Sequence, residues 1–228
     1  MRVVFAAIFA ALSITPARSA GTFEIAPTTV NLSPGEAGFL YVSNNGAAPV
    51  AMQIQPMDWK QGADGDVLIP SETLVASPPL LRIAPGQRQI VRVRADESGA
   101  QEADYRLLVS ELPDRAKAAS AVSVLLQFNI PVFVAGKPQK PDVAWSARAQ
   151  NGGLRLMLQN NGSAALKIGG VAITDEKGET ASVNGLTYVL PGARHEWSMP
   201  LANAASVWVG ARDARSGMSL DADLSVRR

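Results

Sequence analysis

The chain has 228 residues, of which 47% are hydrophobic, 6% aromatic and 18% charged, with no cysteine and one histidine. Without cysteine it cannot form a disulfide framework or a thiolate metal cage, and one histidine cannot supply a multi-histidine metal site. The formal net charge of +1 gives no electrostatic basis for binding nucleic acid or acidic lipid, and the apolar share excludes a mainly disordered chain.

Residues 1–20 have the layout of a secretory signal. Arg2 precedes an apolar run over residues 3–12, and small residues follow up to Ala20. The run is shorter than the roughly 20 residues that span a bilayer. We therefore predict a cleaved signal peptide, with no membrane insertion of the mature chain. Export without cysteine favours a bacterial periplasm or surface over a secreted scaffold that relies on disulfides.

Short β-type runs follow, separated by Pro, Gly, Asn and Asp, and no helical periodicity is sustained over three turns. Strands at this spacing predict an all-β fold of sandwich type. The clearest alternating runs are residues 22–25, 38–42, 50–55, 89–94 and 105–110.

Two turn motifs occur twice, once on each side of a proline-punctuated linker at residues 136–141. The copies are Asn44-Asn45-Gly46 with Asn160-Asn161-Gly162, and Ala84-Pro85-Gly86 with Leu190-Pro191-Gly192. Glycine after Asn or Pro supplies the positive φ of a tight turn. We predict two sandwich domains, residues 21–136 and 138–228.

The most informative segment is residues 121–134, which carry no charge and no glycine. Pro131 lacks the N–H that a central strand donates, so it indicates an edge strand or a break in pairing. A long apolar edge recruits other chains, which predicts addition of this strand to a partner's open sheet. The alternative is that it is the last core strand of its own domain. The alternating apolar face consists of Val122, Val124, Leu126, Phe128 and Ile130.

The sequence offers little catalytic chemistry. His195 has no second histidine at metal-binding spacing, and Asp64 and Asp66 lack the later ligands of a calcium loop. The four tryptophans are spread one to a predicted strand, which indicates core packing rather than a sugar-binding platform. We expect no enzyme activity, no metal site and no cofactor.

Several motifs together resemble the periplasmic pilus-assembly chaperones of the PapD-like superfamily, and most closely their archaic branch. The residues that carry the resemblance are 77–87, 105–113 and 129–134, together with Trp59, Asp64-Gly65-Asp66 and 74–79. The resemblance implies two immunoglobulin-like domains at an angle. It also implies that the last strand of the first domain complements a pilus subunit, which is then delivered to an outer-membrane usher.

The resemblance also implies roles for individual residues. The donor residues would be the alternating apolar face described above. Two family positions that bind the subunit's terminal carboxylate align with Thr29 and Pro131, so either another cation serves or the anchor is lost. The candidate cations are Arg82, Arg92 and Arg94, and the candidate interdomain polar contacts are Glu111 and Asp213.

The predicted function is therefore a non-enzymatic periplasmic chaperone that binds incomplete pilus subunits by lending them a strand. One alternative is an exported surface or pilus component that polymerises through the same edge. A carbohydrate-active β-sandwich is the other. Two complete sandwiches with an internal apolar strand favour the chaperone.

Overall fold

The computed structural model describes residues 23–62, 64–95, 102–113, 124–135, 142–150 and 152–228. These residues form strands, turns and loops, without a helix, as the all-β prediction requires. The described part of the chain accordingly has no helix with the length and hydropathy to cross a membrane.

The strands fall into two consecutive groups. The first group is β1 Phe23–Ala26, β2 Val30–Leu32, β3 Ala37–Asn44, β4 Val50–Gly62, β5 Gly65–Pro70, β6 Leu74–Ser77, β7 Leu80–Ile83, β8 Arg88–Ala95, β9 Ala103–Glu111 and β10 Gln127–Val134. The second group is β11 Val143–Gln150, β12 Gly153–Asn160, β13 Leu166–Asp175, β14 Thr180–Val189, β15 Arg194–Met199, β16 Ser206–Asp213 and β17 Ala222–Arg227.

The first group forms a sandwich of two sheets. One sheet has the order β1-β3-β8-β6, and the other has the order β2-β10-β9-β4-β5, with β7 also paired to β4. Alternate apolar residues of both sheets point inward and meet in one core, as period-2 strands require. Leu40, Val91 and Leu107 are fully buried there.

The second group forms a continuous path with the order β14-β13-β16-β17-β11-β12-β15. Its own core is built from the inward residues of these strands, including Leu158, Ile173 and Val209. Each group of strands therefore buries a separate hydrophobic core.

The repeated sequence motifs correspond to a repeated structure. The side chain of Asn44 donates to the carbonyls of Ala48 and Ile83 at 2.8 and 2.9 Å. Asn160 makes the equivalent bonds to Ala164 and Val189, both at 2.8 Å. A buried asparagine therefore performs the same task in both sandwiches, and satisfies carbonyls that the strand ladders leave unpaired.

The associated glycines differ in role. Gly86 and Gly192, which follow the prolines, have φ of 70° and 76°, as predicted. Gly46 and Gly162 are not among the residues with positive φ, because they do not form a tight hairpin turn. Their N–H groups instead donate to the Asn44 and Asn160 side chains at 2.9 and 3.0 Å.

The tryptophans do not all pack in cores. Trp59 and Trp197 are buried, and Trp145 packs at 5.8 Å from Trp197 between ring centroids. Trp208 is 45% exposed on the outward face of β16, so the expectation of core packing is wrong for this residue.

Candidate functional site

The outer edge of β10 is open over much of its length. β10 pairs antiparallel with β9 from Gln127 to Val134, but it pairs with β2 only at Val132–Val134. Within the described part of the chain, no strand pairs with the far edge of Gln127–Pro131. An unpaired strand edge presents backbone donors and acceptors to a further strand.

The direction of the backbone groups identifies which residues face this edge. Ala135 donates its N–H to β2, whereas the carbonyl of Leu126 accepts a hydrogen bond from β9. Because consecutive residues of a strand alternate between its two neighbours, Gln127 and Asn129 direct their amides to the open side. Pro131 has the same orientation, so its missing N–H leaves no strand partner unpaired.

The predicted apolar face is divided by the structure. Ile130 is buried, and Phe128 packs against the same core with its ring 5.3 Å from that of Phe23. Val124 and Leu126 have the same parity but lie beyond the core, and are 78% and 41% exposed. Val122 lies outside the described residues.

An apolar cluster joins the two sandwiches. Trp59 and Phe133 from the first sandwich pack with Ala165 and Leu190 from the second. The Gln61 side chain crosses the same boundary, since its amide donates to Tyr188 O at 3.0 Å and accepts from Leu190 N at 2.9 Å.

A stacked arginine reinforces this cluster. The Arg106 guanidinium lies 3.6 Å from the Trp59 ring centroid and 5.4 Å from that of Tyr188. It also pairs with Asp66 at 3.4 Å. Burial lowers the pKa of Arg106. The cation–π contacts retain the guanidinium between the two sandwiches.

An ion pair also links the two sandwiches. Arg215 donates to both carboxylate oxygens of Glu102 at 2.7 Å, and Glu102 is 3% exposed at its side chain. The guanidinium also lies 3.8 Å from the Phe133 ring centroid. This bidentate geometry is the strongest form of an arginine–carboxylate contact.

The ion pair uses residues that the sequence reasoning missed. Glu111, the predicted partner, accepts from Leu126 N at 3.4 Å within its own hairpin. Asp213 acts within the second sandwich, where it accepts from the backbone N–H of Lys167 and Arg215 and so orders the turn that presents Arg215. Glu102 and Arg215 are 113 residues apart, and no local pattern links them.

Asp104 adds a titratable group beside this ion pair. Burial, followed by the negative charge of Glu102, raises the pKa of Asp104 to about 8. Arg215 opposes the shift, and a hydrogen bond with Glu102 favours the protonated form. Oδ1 of Asp104 is buried without a partner among the described residues. The folded protein therefore retains this proton at neutral pH.

Stability is expected to depend on pH through Asp104. Its pKa rises from 3.8 to about 8 on folding, so the folded chain holds a proton that the unfolded chain releases. Stability should therefore fall as pH rises through this window. Asp104→Asn, which is neutral throughout, should flatten the fall in the urea midpoint between pH 5 and 9. An unchanged slope in this variant would exclude Asp104 as the source.

A cavity of about 560 Å³ lies between the sandwiches. It is lined by Thr29, the residue aligned with a family carboxylate-binding position, and by two cations, Lys167 and Arg215. Arg215 is engaged by Glu102, which leaves Lys167 as the lining cation without that ion pair.

The three predicted arginines do not line this cavity. Arg92 and Arg94 lie on the outward face of the four-stranded sheet, opposite Phe39 and Ala37 of β3. Arg82 is exposed on β7, where it pairs with Ala51 of β4. All three lie apart from the open edge of β10, which is separated from β4 by β9.

Chemical groups for catalysis are sparse in the described residues. His195 is half-buried on β15 with its ring centroid 4.6 Å from that of Trp197, and burial lowers its pKa. No cluster of three or more potential metal ligands is found among the described residues. The distinctive features are therefore the open strand edge and the interdomain boundary.

Several solved structures with a similar fold are chaperones of pilus assembly or their complexes. The chain matches the CsuC–CsuE chaperone–tip adhesion subunit complex of archaic Csu pili from Acinetobacter baumannii with a TM-score of 0.68 and 22% identity, covering 91% of this chain and 100% of that one. It matches the SafA pilin–SafB chaperone complex of Salmonella enterica with a TM-score of 0.61 and 18% identity, covering 89% and 95%. The Pseudomonas aeruginosa CupB2 chaperone gives a TM-score of 0.59 and 17% identity, covering 89% and 100%.

These likenesses establish the fold as that of two immunoglobulin-like domains of the PapD type. Residues 22–140 match the family of pili and flagellar-assembly chaperones, PapD N-terminal domain, and the chain belongs to this family. The family consists of assembly chaperones and not enzymes, which confirms the expectation of a non-enzymatic protein. A comparison with curated proteins found no match.

Proposed function

We propose that this chaperone works in the periplasm, where it holds an incomplete pilus subunit by donor-strand complementation and delivers it to an outer-membrane usher. The observation that carries the proposal is the open edge of β10 at Gln127–Pro131. An immunoglobulin-like fold that lacks one strand has a complementary open groove. Main-chain hydrogen bonds at this edge supply affinity, and alternate side chains supply specificity.

The exposed side chains of Val124 and Leu126 support binding by donor-strand complementation. They continue the inward-facing parity of Ile130 beyond the point where the domain's own core ends. Burial of each in a partner would contribute about 1.5–3 kcal/mol gross. Phe128 lies where the chaperone's own core ends, so its ring would contact both that core and the core of the subunit.

The subunit's terminal carboxylate is expected to lie in the interdomain cavity, with Lys167 as its cation. Lys167 lines this cavity together with Thr29, whereas Arg82, Arg92 and Arg94 do not. A carboxylate buried there would need a cation to offset its desolvation. Hydrogen bonds hold the cavity wall in place, since Arg215 donates to Ala165 O and the Lys167 N–H donates to Asp213 Oδ1.

Co-expression with a secreted pilus subunit encoded beside its gene tests the proposed function. The expected result is a stable one-to-one complex that co-purifies from periplasm, and Lys167→Gln is expected to lower the yield more than Arg92→Gln. Recovery of the chaperone alone, with the subunit degraded as it is without a chaperone, would contradict the proposal.

A further inference from the structure

The outward face of the second sandwich carries an exposed tryptophan over a floor of small residues. Trp208 of β16 lies opposite Thr174 of β13 and Asp223 of β17. In the next row, Gly210 lies opposite Ala172. The outward side chains of this row are therefore too small to cover the indole.

Gly210 allows the indole to lie along the sheet. A Cβ at this position would lie 2.7 and 2.8 Å from Cη2 and Cζ3 of Trp208, which is closer than real contacts permit. The ring therefore extends along the strand and occupies the space above Gly210. Its other side is available to solvent, since the residue is 45% exposed.

Two grooves lie along this part of the outward face, beside Gly210 and Trp208. One, of about 440 Å³, includes Gly210 in its floor, and the other, of about 340 Å³, is bounded by Trp208 itself. Each is within the size range of small-molecule sites, about 300–1,000 Å³. The first is lined by Ser182, Asn184, Arg212, Ser219 and Asp221 among others, and the second by Thr174, Glu176, Ser206, Asp223 and Ser225 among others.

The charges of the grooves select the class of ligand. Asp221, Glu176 and Asp223 contribute three exposed carboxylates, against one cation, Arg212, among the lining residues. An anionic ligand such as a phosphate or nucleotide is disfavoured by this excess of negative charge. Hydroxyl, amide and carboxylate groups are instead suited to an uncharged ligand with many hydroxyl groups.

The apolar area is too small for a protein partner. A fully buried tryptophan contributes about 150–250 Å², whereas a stable protein interface needs roughly 800 Å² on each side. A sugar ring needs much less, because its apolar C–H face covers one aromatic ring while its hydroxyl groups reach polar side chains around it.

We propose that Trp208 and its two flanking grooves form a binding site for a neutral oligosaccharide. The sugar ring stacks on the outer face of the indole. Its hydroxyl groups bond to the side chains of Asn184 and Ser182 in one groove and of Asp223 in the other. Gly210 is a positioning residue, because it keeps the indole flat on the sheet.

Isothermal titration with cellotetraose and with maltotetraose tests this site in the full chain. Binding of at least one probe is expected, with a Kd on the order of 1 mM or tighter. Trp208→Ala should weaken that binding at least tenfold. Gly210→Ala should weaken it several-fold, because the added methyl group displaces the ring. Ile90→Ala, which alters a residue 49% exposed on the first sandwich, is the matched control and should bind as wild type.

Each result of the titration either supports the binding site or overturns it. Loss of binding in Trp208→Ala, with retention in Ile90→Ala, supports the site. No binding of either tetrasaccharide at concentrations up to roughly 10 mM overturns the proposal. Binding that is equally tight in wild type and Trp208→Ala overturns it as well.

Discussion

Leu126→Asp is expected to abolish capture of a pilus subunit, while Leu125→Asp leaves it nearly intact. The two residues are adjacent and similarly exposed, at 41% and 44%, so the folded chaperone should tolerate either change. Leu126 shares the parity of Ile130 and would enter the subunit, whereas Leu125 would point away from it.

The expected loss is large because two effects add. The variant forfeits about 1.5–3 kcal/mol of apolar burial, and it places a carboxylate in an apolar groove, at a cost of several kcal/mol more. Together these predict at least about a 100-fold loss of affinity. Co-purified subunit per chaperone is the measurement. Equal capture by both variants would show that face alternation does not govern binding.

Phe128→Asp is a less discriminating variant. The Phe128 ring packs against the chaperone's own core and against Phe23. A buried aspartate there would destabilise the first sandwich itself. Loss of binding in that variant would not separate donor function from folding, which is why the exposed pair at positions 125 and 126 is preferable.

Arg215→Met is expected to destabilise the chain by about 3–5 kcal/mol, because it leaves the buried Glu102 carboxylate without its cation. The side chain of Glu102 is 3% exposed, so water cannot replace the lost partner. The midpoint of urea unfolding is the measurement. The matched control is Arg212→Met, since Arg212 makes an exposed contact with Gly217 O and should cost under about 1 kcal/mol.

A double variant separates the effect of losing the ion pair from the effect of losing the packing of the Arg215 side chain. Glu102→Gln combined with Arg215→Met removes both charges and should recover much of the lost stability. If Arg215→Met unfolds at the same urea concentration as Arg212→Met, the ion pair contributes no net stability to the interdomain boundary.

Local features were predictable from the sequence because they depend on period and on single residues. Alternation over residues 121–134 indicated a strand, and the structure forms β10 at Gln127–Val134, with residues 124–126 outside the strand. Pro131 indicated an edge, because a missing N–H is a property of that residue alone. The Pro-Gly turns at Gly86 and Gly192 were predictable for the same reason. The resemblance extended these observations to a family.

Features that depend on distant contacts were not predictable. The core of the first sandwich ends between Leu126 and Phe128, where the Phe128 ring still contacts Phe23 of β1 in the facing sheet. Arg215 meets Glu102 through the packing of one sandwich on the other. Trp208 is exposed because it lies on the outward face of β16 and its ring lies over Gly210, which has no side chain. The sequence alone does not reveal which face of the strand is outward.

Amide hydrogen exchange of the chaperone, free and in its complex with a subunit, tests whether the subunit adds a strand to the edge of β10. The amides of Phe128 and Ile130 face β9 and should be protected in both states, whereas those of Gln127 and Asn129 face the open edge. Donor-strand complementation predicts that Gln127 and Asn129 exchange rapidly in the free chain and become protected in the complex. If exchange at these two amides stays rapid in a stable complex, the subunit does not add a strand to this edge.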